Sequence, residues 1–319
     1  MQNESIKTVT DGPFRQRSGC PACGKASFDR IFSRSYRDPE MIKYLHSFYP
    51  LLGGEIDLLK GEDYTLYSCK DCGLIFQSPV LKDHFIEKLY ADWISASDSL
   101  ELDLNNQQLE DAHLFDFLLL APMFSGRKLS IYDFGMGWGK WLSTGTPFAA
   151  KIRGFDLDPE RCSYAASKGI EVVPVENLER ESCDVINVRA VFEHLIYPQT
   201  VLTQLSEKLT PGGILKFSVP YAKDVRQKII NLDRNFSAAA LKEINEIAPL
   251  EHVNTFSHKT IVSMGAQLGL SPVYFSASEY YRAIVKLDNG RSKKMVAMLR
   301  AILRYFRQFQ ASTVYLKRK

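Results

Sequence analysis

Short apolar runs alternate with helical patterns from residue 128 onward. The strand-like runs, which are rich in β-branched and aromatic residues, cover 129–134, 152–157, 170–175, 183–188 and 214–219. Between them, apolar residues recur at a spacing of three to four, which is typical of helices. Strands that alternate with helices need crossover connections, so the pattern predicts a mostly parallel sheet with helices on both faces. Two late runs, at 271–276 and 313–316, predict additional strands.

The region before this alternation is organised differently. Residues 81–94 and 105–124 carry apolar side chains at helical spacing, and a short helix is expected at 39–48, within an insertion at 38–63. A length of 319 residues suits two domains, or one large domain with an appendage. We therefore divide the chain into an N-terminal unit at 1–80, a helical lead-in at 81–127 and an α/β domain at 128–319.

Composition narrows the class of protein. A share of 45% hydrophobic and 24% charged residues is ample for a buried core and excludes a wholly disordered chain. A net charge of +3 lacks the strong basic excess expected of a nucleic-acid binder. The polar N-terminus has no apolar signal core, and the apolar stretch at 114–124 is shorter than the roughly 20 residues that span a bilayer. These features favour a cytoplasmic protein.

The cysteines add a candidate metal site. Cys20 and Cys23, and again Cys69 and Cys72, each form a Cys-x-x-Cys-Gly motif. The two-residue gap turns both sulfurs of a pair toward one point, and the glycine allows the left-handed backbone that directs amides at thiolates. Four thiolates predict a closed, structural zinc site, although the span between the pairs exceeds the roughly 15–20 residues of a typical ribbon. The alternative, four unrelated core cysteines, does not explain the matched motifs.

A glycine-rich loop follows the first strand of the α/β domain. The sequence IYDFGMGWG places Gly135, Gly137 and Gly139 at every second position, with Asp133 two residues ahead of them. This spacing differs from the GxGxxG nicotinamide fingerprint, and an acid beside the loop favours a cationic ligand over a pyrophosphate. Asp156 ends the next strand, where a carboxylate can accept both hydroxyls of a ribose.

With these motifs in order, the chain resembles a class I S-adenosylmethionine-dependent methyltransferase with an N-terminal zinc-ribbon domain. CPACG and YSCKDCGLIF match the two zinc knuckles of that family, and LYAD the helix that enters the catalytic domain. The first and second motifs of the catalytic domain are matched by DFGMGWG and GFDLDP, and the fourth-strand motif is matched by CDVINVRAVFEHL. Two later segments of the family are matched by LTPGGIL and HVNTFS. The resemblance implies a Rossmann-like seven-stranded sheet with the last strand antiparallel. Such enzymes often act in polysaccharide, lipopolysaccharide or deoxysugar pathways.

The resemblance also assigns residues. It implies that S-adenosylmethionine contacts Asp133, the three loop glycines and Asp156, with Leu157 and Asn177 as further contacts. His194 directly follows the fourth strand, so we expect it near the transferred methyl group, where its ordinary pKa suits proton abstraction. Glu193 is expected to orient His194 or to bind substrate, and His252 to contact the acceptor. Local capping of strand and helix ends is the alternative for these three residues.

Several other residues that could carry chemistry are expected to have structural roles. His113 is expected to be a solvated helix residue, Trp138 a packing residue, and Cys162 and Cys183 small core residues. A basic amphipathic helix at 291–309 has Lys293, Arg300, Arg304 and Arg307 on one face and Met295, Met298, Leu299, Ile302, Phe306 and Phe309 on the other. Peripheral contact with an anionic membrane is one interpretation. We favour the other, in which the helix packs on the sheet and its outer face is solvated.

The expected reaction is methyl transfer to a small-molecule or glycan-type acceptor such as a sugar, nucleotide-sugar or lipid-linked saccharide. Two alternatives stay open. One is an RNA methyltransferase that uses the zinc ribbon to recognise nucleic acid, although the 38–63 insertion holds more acids than bases. The other is a non-catalytic S-adenosylmethionine-binding module, against which the intact acidic glycine loop and Asp156 argue.

Overall fold

The structure is a computed structural model that describes residues 12–89, 106–220, 222–288, 291 and 293–319. Its strands form one seven-stranded, one four-stranded and one two-stranded sheet. The part of the LYAD motif beyond Leu89, and the end of the predicted 81–94 helix, lie outside the described residues.

Short strands and two helices make up the N-terminal part. They are β1 (Phe14–Arg15), β2 (Phe28–Ser35), α1 (Pro39–Phe48), β3 (Asp63–Cys69), β4 (Ile75–Gln77), β5 (Val80–Leu81) and α2 (Asp83–Lys88). Helix α1 covers the predicted 39–48, because Asp38 caps it by accepting from the Glu40 amide and Pro39 occupies its first turn.

The four-stranded sheet joins distant parts of the chain. Its order is β11-β4-β3-β2, where β11 (Asn254–Thr255) comes from a much later segment. The apolar core beside it also combines residues of the N-terminal part with Val225, Ile229 and Leu241. The segment between β10 and β11 therefore packs against the N-terminal part of the chain.

The remaining elements build the α/β part. Its strands are β6 (Leu129–Phe134), β7 (Ala149–Phe155), β8 (Glu171–Val172), β9 (Cys183–Arg189), β10 (Leu209–Ser218), β12 (Leu270–Val273) and β13 (Thr313–Arg318). Its helices are α3 (Gln107–Leu120), α4 (Lys140–Gly145), α5 (Pro159–Ser167), α6 (Pro198–Lys208), α7 (Val225–Arg234), α8 (Ala238–Lys242), α9 (His258–Ala266), α10 (Ala277–Leu287) and α11 (Lys294–Arg307).

The seven-stranded sheet has the order β12-β13-β10-β9-β6-β7-β8, and β13 alone runs antiparallel to its neighbours. Alternate residues of β9 enter different cores, since Val185 belongs to one apolar cluster and Ile186 to another. Such two-sided burial needs helices on both faces. The predicted fold, an α/β methyltransferase-like sheet of seven strands, is confirmed.

The topology places the site at one edge. The parallel strands β6, β7 and β9 are neighbours, so their carboxyl ends meet at the same edge of the sheet. Ligands of open α/β sheets bind at such an edge. Among the described residues, no helix is long and apolar enough to cross a membrane.

Candidate functional site

The loop after β6 adopts a backbone that only glycine accommodates easily. Gly135, Gly137 and Gly139 have φ angles of 74°, 55° and 74°. A Cβ atom on Gly135 would lie 2.4 Å from Cγ2 of Val191, whereas one on Gly137 would meet nothing within 4 Å. The first glycine is therefore required for packing against the end of β9. The second leaves open space in front of the loop.

Asp156 is fixed to this loop by backbone hydrogen bonds. Its Oδ2 accepts from the Gly137 amide at 2.8 Å, and its Oδ1 accepts from the Asp158 amide at 3.1 Å. Leu157, the next residue, is 87% exposed. A carboxylate held in place beside an exposed apolar side chain matches a ligand with a polar sugar and a flat apolar base.

Asp133 is the most deeply buried acid of the site. It is 3% exposed, and its Oδ1 accepts a 2.7 Å hydrogen bond from Nδ2 of Asn187 on β9. Burial raises the pKa of Asp133 to about 7, although the Asn187 hydrogen bond opposes this effect. A cationic ligand in front of the loop would stabilise the ionised form of this carboxylate.

A small cavity of about 250 Å³ joins these groups. Asp133, Gly135, Gly137 and Asp156 line it, together with Met136, Trp138, Lys140, Trp141, Arg161, Asn187, Arg189, Val191, Ala190, Leu109 and His113. Gly139 lies behind the loop as the N-cap of α4. Leu157 and the exposed Asn177 do not line this cavity in the structure.

Trp138 is a buried packing residue, 6% exposed and in edge contact with Tyr164, and it also lines this cavity. The guanidinium carbon of Arg161 lies 5.8 Å from the Trp138 ring centroid, and its NH1 lies 3.7 Å from Oδ1 of Asp156. The sequence signal for Trp138 was its place between two loop glycines. Arg161 had no such signal, since it reaches the cavity from the first turns of α5.

A large cavity of about 990 Å³ lies beside the small one. The two share Leu109, His113, Arg189 and Ala190 in their walls. Helix α3, the ends of β9 and β10, the start of β13 and helices α10 and α11 enclose the large cavity. The two cavities are therefore neighbours that meet at these four residues.

His113 sits where the two cavities meet. It is 4% exposed, so the expectation of a solvated helix residue was wrong. Burial and the nearby Lys216 and Arg189 lower the pKa of His113 to about 3, so its imidazole is neutral at pH 7. Neither ring nitrogen has a hydrogen-bond partner within the described part of the chain.

A chain of buried polar groups also connects the two cavities. The amide oxygen of Asn187 accepts from Nζ of Lys216 at 3.1 Å, and that ammonium lies 2.6 Å from Oδ2 of Asp116. Tyr315 donates to Oδ1 of Asp116 at 3.0 Å. Asp133 is thereby linked through Asn187 to Lys216, Asp116 and Tyr315, all three of which line the large cavity.

Glu193 and His194 lie on the turn that follows β9, and His252, which precedes β11, comes together with them. Nε2 of His194 lies 3.9 Å from Oε1 of Glu193, and the two imidazole centroids are 4.9 Å apart. Nδ1 of His194 donates to the Glu251 carbonyl at 3.1 Å, and Nδ1 of His252 donates to the Asn245 carbonyl. These bonds fix the tautomers and leave Nε2 as the acceptor atom of each ring. None of the three residues lines the small or the large cavity.

Burial sets the charges of this group. It raises the pKa of Glu193 to about 7 and lowers that of His194 to about 4, and it also lowers the pKa of His252. Glu193 is 2% exposed, and neither carboxylate oxygen has a hydrogen-bond partner among the described residues. Both imidazoles are consequently neutral at pH 7, and the carboxyl group is near its midpoint.

The four motif cysteines converge as their spacing predicted. The Sγ atoms of Cys20 and Cys72 are 3.5 Å apart, and those of Cys23 and Cys69 are 3.6 Å apart. All four sulfurs lie within 4.8 Å of one another, and none is in a disulfide. Zinc–sulfur bonds of about 2.3 Å in a tetrahedron require sulfurs slightly under 4 Å apart. The donor set and its geometry fit zinc, and these four residues would hold it.

Helix α11 presents its apolar side outward. Ala297 and Ala301 are its buried residues. The large apolar side chains are 40–79% exposed, namely Met295, Val296, Met298, Leu299, Ile302, Leu303 and Phe306, and Phe309 beyond the helix is 44% exposed. The favoured interpretation had the helix packed on the sheet with a solvated outer face; the helix packs through its alanines, and its outer face carries these large apolar side chains.

Comparisons with known proteins agree with this geometry. A family model described as "Methyltransferase domain" matches residues 106–274. A ubiquinone biosynthesis O-methyltransferase from Nitrosococcus oceani is 33% identical over 99 residues, which are 28% of this chain and 42% of that protein. The chain thus matches less than half the length of this curated relative.

Two solved structures are among those to which the chain is similar. Magnesium protoporphyrin IX methyltransferase from Synechocystis, solved with bound SAH, is 16% identical with a TM-score of 0.39, covering 59% of this chain and 83% of that one. An S-adenosylmethionine-dependent methyltransferase from Mesorhizobium loti is 13% identical with a TM-score of 0.38, covering 60% and 92%. Because the family model spans just over half of the chain, on a sheet of the matching order, this protein belongs to the class I S-adenosylmethionine-dependent methyltransferases.

Proposed function

We propose that the protein transfers the methyl group of S-adenosylmethionine to a small-molecule acceptor of the saccharide type, such as a sugar, nucleotide-sugar or lipid-linked saccharide. The observation that carries this proposal is the small cavity at the glycine loop, which shares wall residues with a larger one. When bound, S-adenosylmethionine supplies a methyl group activated by a sulfonium. The chain's own residues then bind and orient both partners.

Residues that line the small cavity, together with Leu157 and Asn177 outside it, suit the parts of this cofactor. Asp156, held by the amides of Gly137 and Asp158, is placed to accept the ribose hydroxyls. The exposed Leu157 offers an apolar surface to the adenine, and Asn177 is the proposed contact for its amino group. The carboxylate of Asp133 favours binding of the cationic end of S-adenosylmethionine. Gly135, Gly137 and Gly139 shape the backbone that faces the cofactor.

The replacement Asp156→Ala tests the cofactor site. We expect the Kd for S-adenosylhomocysteine to rise about 100-fold, because two hydrogen bonds to a charged group are lost at about 1.5 kcal/mol each. Isothermal titration calorimetry measures this directly. Asp158→Ala is the matched control, since Asp158 caps α5 by accepting from the Glu160 amide at 2.8 Å. It should lower stability by about 1 kcal/mol and leave the Kd unchanged. Wild-type protein that does not bind S-adenosylhomocysteine would refute the proposal.

We propose that His194 accepts the acceptor's proton, with Glu193 stabilising the resulting imidazolium and His252 contacting the acceptor. The neutral state of His194 and its fixed tautomer support this role. Movement of the turn Phe192–His194 toward the cavities is required, since these side chains do not line them here. Val191, which does line the small cavity, directly precedes that turn.

His194→Gln should lower the rate of methyl transfer about 10²–10⁴-fold, the typical contribution of a general base, without changing the Kd for S-adenosylhomocysteine. The pKa of Glu193 is raised to about 7, so this carboxyl is neutral below that pH and ionised above it. The wild-type rate should therefore rise through about pH 7, and Glu193→Gln should abolish that rise. The assay is transfer of labelled methyl to a panel of saccharide acceptors, with exposed His46→Gln as control. Equal rates for His194→Gln and wild type would exclude His194 as the base.

We also propose that the cysteine cluster binds one structural zinc ion and forms a ribbon-type N-terminal domain. All four coordination positions are filled by thiolates, so no position remains for catalysis. Unpaired thiols are typical of a reducing compartment, which supports a cytoplasmic location. RNA as acceptor finds less support, because Cys20, Cys69 and Cys72 are 2–3% exposed and lie in an apolar core rather than on an accessible face.

We propose that α11 binds the surface of an anionic membrane. Its exposed apolar arc runs from Met298 to Val296 around the helix, and Arg300 and Arg307 border that arc. Apolar side chains flanked by basic ones are typical of helices that lie in the headgroup region of anionic bilayers. An exposed apolar surface of this size on a monomer marks an interaction site.

The membrane proposal predicts that Leu299→Ser combined with Phe306→Ser reduces flotation with phosphatidylglycerol vesicles at least about tenfold. Each side chain contributes about 1.5–3 kcal/mol when transferred from water to an apolar environment. Leu51→Ser with Leu58→Ser is the matched control, because Leu51 and Leu299 are both 59% exposed. Flotation that is equal in both double variants would argue against a membrane role for α11.

A further inference from the structure

We propose that the methyl acceptor carries an anionic group of the phosphate or carboxylate class, and that Arg189, Arg304 and Arg307 bind it in the large cavity. This inference rests on the proposed function, because it assigns the large cavity to the acceptor. A nucleophile must approach the transferred carbon within about 3–3.5 Å. The large cavity shares His113, Arg189 and Ala190 with the small cavity, so we assign to it the acceptor from which the nucleophile approaches.

The charges that line the large cavity do not balance. Its basic side chains are Arg189, Lys216, Arg300, Arg304 and Arg307, and its acids are Asp116 and Asp288. Lys216 is paired with Asp116 at 2.6 Å, and Arg300 with Asp288 at 3.3 Å. Within the described ranges, the other three arginines have no acidic partner. An excess of one charge in a concave site concentrates the field and attracts ligands of the opposite charge.

The arginines of α11 are arranged to act together. Arg300, Arg304 and Arg307 follow one another at spacings of four and three residues, so they lie on one side of the helix. The guanidinium carbon of Arg304 lies 4.2 Å from the centroid of Phe115, which orients it by a cation–π contact. A guanidinium presents paired N–H donors that match two oxygens of a phosphate or carboxylate.

His113 gives an independent indication of a polar ligand. Its imidazole is 4% exposed and faces both cavities, yet neither nitrogen has a partner in the part of the chain that the structure describes. A buried polar group without a hydrogen bond is costly and is usually satisfied by a ligand or water. A hydroxyl group of the acceptor would satisfy it, while the anionic group binds the arginines further from the small cavity.

Calorimetry with the full chain, saturated with S-adenosylhomocysteine, tests the anionic site. Inorganic pyrophosphate is the soluble probe, and a short-chain phosphatidic acid below its micelle concentration is the lipid probe. Arg304→Gln combined with Arg307→Gln should raise the Kd of the probe at least about tenfold, because the loss of one hydrogen bond between charged groups already has an effect of that size. Arg282→Gln is the matched control, because Arg282 is exposed on α10 and does not line the cavity.

The probes distinguish the sources of the anionic group. If the arginine replacements weaken binding of pyrophosphate, the acceptor is a soluble phosphorylated molecule. If they weaken binding of phosphatidic acid only, the acceptor carries a lipid phosphate. No binding of either probe to wild type, or equal weakening by Arg282→Gln, would overturn the inference. S-adenosylhomocysteine binding in the same samples separates this result from the proposed function, because loss of cofactor binding in wild type would refute the latter instead.

Discussion

Cys72→Ser, or removal of zinc by a chelator, should unfold the N-terminal unit. Binding of structural zinc by four thiolates contributes about 10–16 kcal/mol in small domains, whereas a whole domain is stable by only about 5–15 kcal/mol. Cys20, Cys69 and Cys72 also belong to the apolar cluster that contains Phe192, Phe217 and Leu215 of the α/β part. Loss of the metal would therefore loosen the wall behind the glycine loop as well.

Metal analysis and thermal denaturation measure this effect. We expect about one zinc per chain, a large fall in melting temperature after chelation, and the same fall in Cys72→Ser. Cys162→Ser is the matched control, because Cys162 lies outside the cluster and donates to the Asp156 carbonyl at 3.1 Å. A metal-free wild-type chain that melts at the same temperature as a zinc-loaded one would contradict a structural zinc site.

The α/β part of the fold could be predicted because its strands are buried on both faces. Strand β9 is apolar along most of its length, and its neighbour β10 is buried over 213–217, so both produce apolar runs that stand out from the helices. The order of the strands does not follow from periodicity. The resemblance implied only the number of strands and an antiparallel last strand, and β13 has that direction.

Contacts between distant segments could not be predicted in this way. Strand β11 pairs with β4, so a segment near residue 254 completes the N-terminal sheet. No local pattern indicates such a pairing, because two residues carry no periodicity. The interaction of Asn254 with Arg17, at 2.8 Å, likewise joins positions 237 residues apart.

The faces of α11 illustrate another limit of pattern analysis. The sequence showed that one side is apolar and another basic, and an apolar side is normally the buried one. Ala297 and Ala301 pack instead, because small residues allow the helix to lie close to Ala283 and Ile284 of α10. Pattern analysis weights large apolar residues, and here these remain outside.

The candidate site also contains some residues that the sequence could predict and others that it could not. Asp133, the loop glycines and Asp156 could be found because they lie in continuous motifs at strand ends, where chain direction alone brings them together. His113, Arg304 and Arg307 had no motif, since α3 and α11 reach the large cavity only through tertiary packing. The motif residues that line the small cavity were thus predictable, whereas Arg161 and the residues that line the large cavity were not.

The buried pair of Lys216 and Asp116 leads to the other large expected effect. Lys216 is 4% and Asp116 7% exposed, and their charged atoms are 2.6 Å apart. Lys216→Met leaves the Asp116 carboxylate buried with Tyr315 as its remaining hydrogen-bond partner. Removing one member of a buried ion pair typically lowers the free energy of unfolding by about 3–5 kcal/mol. We expect a loss of that size in urea denaturation.

A double variant separates the ion pair from its link to the cofactor site. Lys216→Met with Asp116→Leu replaces both charges by apolar groups and should recover most of the lost stability, as apolar replacements of buried pairs often do. It should still bind S-adenosylhomocysteine more weakly than wild type, because Asn187 loses the Lys216 donor that orients its amide toward Asp133. Lys317→Met, at an exposed residue of the neighbouring strand, is the control and should change the free energy of unfolding by less than about 0.5 kcal/mol.

If the double variant is as unstable as Lys216→Met, the unpaired Asp116 carboxylate is not the cause of the lost stability. If the double variant binds S-adenosylhomocysteine as wild type does, the polar chain does not support Asp133.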